Sequence, residues 1–147
     1  MIIGLTGGIG SGKSTIAKQL RQMGYAVYDT DSEAKRLIVE DAAVRKQMIQ
    51  LFGSDVYKDG IYQTAFVAQR VFTDKSLLAQ LNAIVHPAVR ADILRWATMQ
   101  DSPSFRKGLG GGFFFVECAI LYQAGFDKLC DKVIVVNGFE VLGVPIV

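Results

Sequence analysis

The run Gly7-Gly8-Ile9-Gly10-Ser11-Gly12-Lys13-Ser14 restricts this chain more than any other feature, because it fits Gly, any four residues, Gly-Lys-Ser/Thr without a gap. Such a loop works between a buried strand and the start of a helix, and both flanks are present. Ile2, Ile3 and Leu5 form a short apolar run, and past Lys13 the residues Ile16, Ala17, Leu20 and Met23 recur at helical spacing. Glycines let the backbone curl so that amide hydrogens converge on an anion. The helix adds its first-turn amides and dipole. The stretch Gly8, Ile9, Gly10, Ser11, Gly12, Lys13, Ser14 and Thr15 is therefore expected to bind the phosphates of a nucleotide. Lys13 would reach the outer phosphates as a mobile charge, Ser14 would ligate Mg2+, and Thr15 would donate to an inner phosphate. The plainer reading is a glycine turn with a surface lysine. Glycine makes up only about 7% of ordinary sequences, so a chance match at this strand-helix junction is rare. A dinucleotide-binding loop fails on spacing, since its third glycine would fall at position 13, which is lysine.

Composition narrows the partners. The 147 residues suit one domain with a sizeable core. Half of them are apolar, yet no apolar run approaches bilayer length; the richest, Phe113 to Val116, stops at Glu117. Sixteen basic residues against 14 acidic leave a net charge of +2, too even for a nucleic-acid or membrane-surface binder. Cys118 and Cys130 are neither metal-spaced nor a disulfide framework and read as buried small side chains. The first strand begins at the amino terminus with no secretory signal ahead of it, which makes the cytoplasm the expected compartment.

Along the chain, Gly24 stops the first helix and Tyr25 to Tyr28 reads as a second strand, ending in Asp29-Thr30-Asp31. Ligands of open parallel sheets gather at the carboxyl ends of strands, so both carboxylates are expected beside the phosphate loop. Either could cap the next helix. Either could also accept a proton from an attacking hydroxyl or hold a magnesium-bound water, with Asp31 the stronger candidate. Residues 41–100 read as an inserted helical substrate subdomain, with helices over Asp41 to Phe52, Ala65 to Phe72, Leu77 to Val85 and Pro87 to Met99. His86-Pro87 is expected to break that run, because proline rejects a helical predecessor but suits a first turn. A loop over 101–112 follows, then a strand at Phe113 to Glu117 buried on both faces. A crossover leads to the strand Lys132 to Val136. The expected architecture is a three-layer α/β fold with a parallel sheet, helices on both faces and the helical insertion, all in one domain over 1–147.

With these segments placed, the chain resembles the dephospho-CoA kinases. The resemblance rests on Gly4 to Thr15, on Asp29-Thr30-Asp31 followed by Ala34-Lys35-Arg36, on Leu81 to Pro87, and on Ala124 to Leu129. It implies ATP-dependent phosphorylation of the 3′-hydroxyl of dephospho-CoA, with ATP and dephospho-CoA as partners and Mg2+ as cofactor. It further implies that Lys13 and the loop amides hold ATP and that Ser14 holds the metal. Asp31, supported by Asp29, would serve as base or orienting group. His86, Pro87 and Arg90 would line the dephospho-CoA site.

Three departures qualify the resemblance. Ala119-Ile120-Leu121-Tyr122-Gln123 stands where the family often has Pro-Leu-Leu-aromatic-Glu, and Phe105 to Gly112 looks foreign. Similarity ends near Asn137, and the apolar tail 138–147 resembles a shifted reading frame. Family members continue there into a lid that carries arginines. Losing such an arginine costs on the order of 10³-fold in rate, so impaired activity is expected of this chain. Two alternatives stay open: another nucleoside or nucleotide kinase, and a non-catalytic nucleotide-binding remnant.

Overall fold

The computed structural model describes residues 1–8, 11–100, 112–141 and 144–146, with side chains described through Asn137. The chain divides into two compact units, one made of Met1–Thr30 with Asp92–Val147 and the other of Asp31–Ala91.

The first unit is built on a parallel sheet of β1 (Ile2–Thr6), β2 (Ala26–Asp29), β5 (Phe114–Glu117) and β6 (Lys132–Val135), in the order β2-β5-β1-β6. β5 and β1 are the central strands, and their sequences are apolar on both faces as buried parallel strands require. All four residues of β5 are buried. The register aligns Leu5 with Glu117 and Glu117 with Asp29, so the ends of β1, β5 and β2 stand side by side. Helix α1 (Lys13–Gln22) lays Ala17 on a cluster with Leu5 and Val136, around which Ile16, Leu20 and Val27 pack. Burying an aliphatic side chain of this size is worth ~1.5–3 kcal/mol, and here it seats the start of α1 against the end of β1.

Tyr28 ties β2 to the last part of α5 (Lys75–Gln100). Its hydroxyl donates to Asp92 Oδ2 at 2.7 Å, and its ring meets Trp96 edge-on at 5.4 Å. Trp96 in turn meets Phe114 of β5 edge-on. Strand β6 is flanked only by β1 among the described residues, and Ile134 and Val135 on it are exposed. A hairpin of β7 (Asn137–Val141) and β8 (Val144–Ile146) follows.

Cys118 is buried, and Cys130 half-buried, with its thiol donating to the Phe126 carbonyl. Burial, aided by the carboxylates of Asp127 and Asp131, pushes the Cys130 thiol up to about 11. The thiolate is the reactive form. At pH 8 alkylation of Cys130 by iodoacetamide is therefore expected to run about 100-fold slower in the folded chain than in urea, as peptide mapping would measure. Equal rates in the two states would refute the buried placement.

The second unit contains α2 (Thr30–Glu40) beyond its first residue, α3 (Ala42–Phe52), β3 (Tyr57–Lys58), β4 (Ile61–Tyr62), α4 (Thr64–Thr73) and α5 up to Ala91. Asp41 caps α3 by accepting from the Val44 amide at 2.9 Å, and Gly53 ends it at φ 87°. Asp59 and Gly60 both take positive φ, the two-residue hairpin turn that their types favour. Val44, Met48, Phe52, Val56 and Val67 are buried. The expected break at His86-Pro87 is absent: α5 is one helix of 26 residues with Pro87 inside it. Proline removes one backbone hydrogen bond and costs ~3 kcal/mol. Val85, Val89 and Ile93, buried at four-residue intervals on one stripe, hold the helix together across it.

Candidate nucleotide site

The site is assembled at the carboxyl edge of the parallel sheet. After Thr6 the chain enters the glycine loop, whose residues Ile9 and Gly10 lie outside the described residues. The Ser11 amide turns back to the Gly8 carbonyl at 3.1 Å, and Gly12 sits in the left-handed region at φ 87° before α1 begins. Gly12 has no side chain to cap the helix, and no acidic residue lies in its first turn. The mouth of α1 thus keeps the positive end of its dipole for an anion. Ser14 and Thr15 are exposed there, and the Lys13 amide leans on the Ser11 hydroxyl at 3.4 Å.

Lys13 extends to the end of β5, where Nζ donates to Glu117 Oε1 at 3.1 Å; the two side chains are 14% and 8% exposed. Glu117 is fixed by its strand. The Cys118 amide donates to the Leu5 carbonyl at 2.9 Å, and the buried Thr30 hydroxyl donates to the Glu117 carbonyl at 2.9 Å. Asp29, at the end of β2, is the register partner of Glu117.

Of the residues expected at the site, the first unit brings together Gly8, Ser11, Gly12, Lys13, Ser14, Thr15 and Asp29. Asp31 is the second residue of α2 and is counted with the helical unit, as are His86, Pro87 and Arg90 on α5. His86 and Arg90 are four residues apart, on one face of that helix. Burial, with the Arg90 guanidinium beside it, pulls the His86 imidazole below its usual range and keeps it neutral near pH 7.

Glu117 and Thr30 are the two residues of the site to which sequence reasoning assigned no role. A signal for Glu117 was present, since four apolar residues ending in an acid place a carboxylate at a strand's ligand edge. Thr30 offered none, because a threonine between two aspartates has no distinguishing pattern.

The donor set suits a hard divalent cation. Ser14 offers a hydroxyl, and Glu117 and Asp29 offer carboxylates on adjacent strand ends. Among the described residues no group of three His, Cys, Asp or Glu side chains could hold a metal unaided. Magnesium keeps waters and takes part of its shell from substrate phosphates, so a sparse set of oxygens fits it.

A glycine loop between a central parallel strand and a helix, with its lysine paired to an acid one strand over, defines a phosphate-loop nucleotide-binding protein. A family model for dephospho-CoA kinase matches residues 1–140. The Porphyromonas gingivalis dephospho-CoA kinase is 41% identical over 138 residues, which cover 94% of this chain and 64% of that protein. A crystal structure of a Thermus thermophilus protein superposes with a TM-score of 0.73 at 31% identity, covering 93% of this chain and 65% of that one. Dephospho-CoA kinase from Campylobacter jejuni superposes with a TM-score of 0.67 at 25% identity, covering 91% and 64%. The chain belongs to the dephospho-CoA kinase family, and it spans just under two thirds of the length of the Porphyromonas relative. The family match runs three residues past Asn137, where the resemblance was expected to end.

Proposed function

We propose that the chain transfers the γ-phosphoryl group of ATP to the 3′-hydroxyl of dephospho-CoA, giving coenzyme A and ADP. The observation that carries this reading is the Lys13–Glu117 pair at the sheet edge, directly beside the helix mouth, in a member of this family. The loop amides and Lys13 hold the triphosphate, with Ser14 and, through water, Glu117 or Asp29 as the groups that would hold Mg2+. Bound there, Mg2+ would neutralise charge on the phosphates. The bond from the γ-phosphorus to its bridging oxygen breaks, a bond to the 3′-oxygen forms, and the hydroxyl proton passes to a carboxylate. Asp31 takes that proton, with Asp29 in support. His86, Pro87 and Arg90 contact dephospho-CoA, Arg90 as a cation for its phosphates and neutral His86 as an uncharged hydrogen-bonding partner. Little covalent chemistry falls to the protein, so alignment and charge neutralisation account for the rate. A cytoplasmic location is part of the same reading; among the described residues no helix is long and apolar enough to cross a membrane.

The test is chromatographic detection of coenzyme A when the chain is incubated with MgATP and dephospho-CoA, beside a panel of nucleosides and nucleoside monophosphates. Product from dephospho-CoA alone is expected, at the impaired rate that the sequence departures imply. Exclusive turnover of a nucleoside would replace this reading with the other kinase, and ATP binding without any product would reduce the chain to a nucleotide-binding module.

A further inference from the structure

Among the described residues the buried polar and charged ones are Thr6, Thr30 and Glu117, and all three stand at the carboxyl edge of the parallel sheet. A polar group is costly to bury unless it is hydrogen-bonded. Each threonine directs its hydroxyl to the chain leaving β5: Thr30 Oγ1 donates to the Glu117 carbonyl at 2.9 Å, and Thr6 Oγ1 to the Ala119 carbonyl at 3.4 Å. Elsewhere along this edge backbone amides make such closures. The Cys118 amide donates to the Leu5 carbonyl at 2.9 Å and the Val136 amide to the Thr6 carbonyl at 2.7 Å. Beside β2 the closure includes a side chain, because α2 begins at Thr30 itself and turns the backbone out of the sheet.

The residues on either side of Thr30 give that bond its consequence. Asp29 is half-buried and Asp31 exposed, so the placement of both carboxylates follows the backbone that carries them. Upstream, that backbone is already fixed. Asp29 is the register partner of Glu117, and Tyr28 is buried with its hydroxyl on Asp92 Oδ2 at 2.7 Å. The turn from strand into helix is where freedom remains, and there the Thr30 hydroxyl takes hold of the end of β5. We infer that Thr30 is a positioning residue for phosphoryl transfer: its bond to the Glu117 carbonyl fixes the strand-to-helix turn and, with it, the two aspartates that flank it. This rests on the transfer reading above and adds to it the group that aims the proton-accepting carboxylates. Thr30 touches no reacting atom, so its removal should slow the transfer step and spare nucleotide binding, which belongs to the glycine loop and Lys13.

The experiment compares the full wild-type chain with Thr30→Val and Thr30→Ser, well below the melting temperature of all three. Valine keeps the shape and removes the hydroxyl; serine keeps the hydroxyl and drops the methyl. Coenzyme A formation is measured at saturating MgATP and dephospho-CoA, per folded molecule, and MgATP affinity by calorimetric titration. A misplacement of about 1 Å can cost 10²-fold in rate, so Thr30→Val is expected to lose about 10- to 100-fold in kcat while its MgATP affinity stays close to the wild-type value. Thr30→Ser is expected to restore most of that rate. A merely structural role would lower the melting temperature of Thr30→Val and leave its kcat unchanged, which overturns the inference. So does a loss shared equally by the serine variant, or a loss of MgATP affinity as large as the loss in rate. Should the valine variant not fold, Thr30→Ala removes the hydroxyl without setting a methyl against the carbonyl, and the same outcomes decide. A folded wild type that binds MgATP and forms no coenzyme A overturns the transfer reading itself, and the inference with it.

Discussion

Lys13→Ala is expected to lower affinity for MgATP by on the order of 100-fold and to reduce phosphoryl transfer by on the order of 10²–10³-fold, the range for deleting a preorganised electrostatic donor. Two effects combine. The variant loses the charge that meets the outer phosphates, and it strands the Glu117 carboxylate, whose side chain is only 8% exposed. Breaking a buried pair by removing one partner costs ~3–5 kcal/mol, most of it from the charge left behind. A fall in thermal stability should therefore accompany the loss of binding. The double variant Lys13→Ala/Glu117→Gln separates the two effects. It should recover most of the lost stability, because no unpaired charge remains, while ATP binding stays poor for want of the lysine. Thermal melts and calorimetric titration of the three variants would read both quantities. A double variant that regained wild-type binding would show that Lys13 does not hold the phosphates.

Why sequence gave Lys13 a role and Glu117 only a place at the ligand edge follows from where the information lies. The glycine loop is local: strand, turn and helix start are adjacent in the chain, and each glycine answers to a nearby backbone demand. The Lys13–Glu117 pair joins residues 104 apart. Finding it requires knowing that β5 lies between β1 and β2, an order the linear chain does not display. The parallel sheet, the buried run expected at Phe113 to Glu117 (all but Phe113, which is exposed) and the Asp41 and Gly53 boundaries of α3 followed from pattern and turn chemistry. Helix α5 did not. Local propensity at His86-Pro87 argued for a break, and the packing of Val85, Val89 and Ile93 outweighed it. The Tyr28–Asp92 bond likewise joins distant segments and left no mark on either one. Of the loop expected over 101–112, with its foreign stretch Phe105 to Gly112, all but Gly112 lies outside the described residues.

Gly7→Ala is expected to damage the site through shape alone, without touching a charge. A β-carbon built on Gly7 would lie 2.4 Å from the Val136 carbonyl oxygen and 2.6 Å from Ser11 Oγ. Ser11 could rotate, but the carbonyl cannot move away cheaply. The Val136 amide donates to the Thr6 carbonyl at 2.7 Å, and its side chain is buried against Leu5 and Ala17. The loop must therefore lift from the end of β1, at an overpacking cost of ~1–3 kcal/mol. That displacement carries Gly8 and the amides beyond it away from the mouth of α1. A misplacement of about 1 Å in a positioned group can cost 10²-fold in rate, and a comparable loss of ATP affinity is expected here. Gly8→Ala serves as the control for stability, because a β-carbon there meets nothing within 4 Å among the described residues. Melting curves should place Gly7→Ala below the wild type and Gly8→Ala beside it. A Gly7→Ala variant that melts and binds ATP like the wild type would show that the loop does not press against Val136 as described.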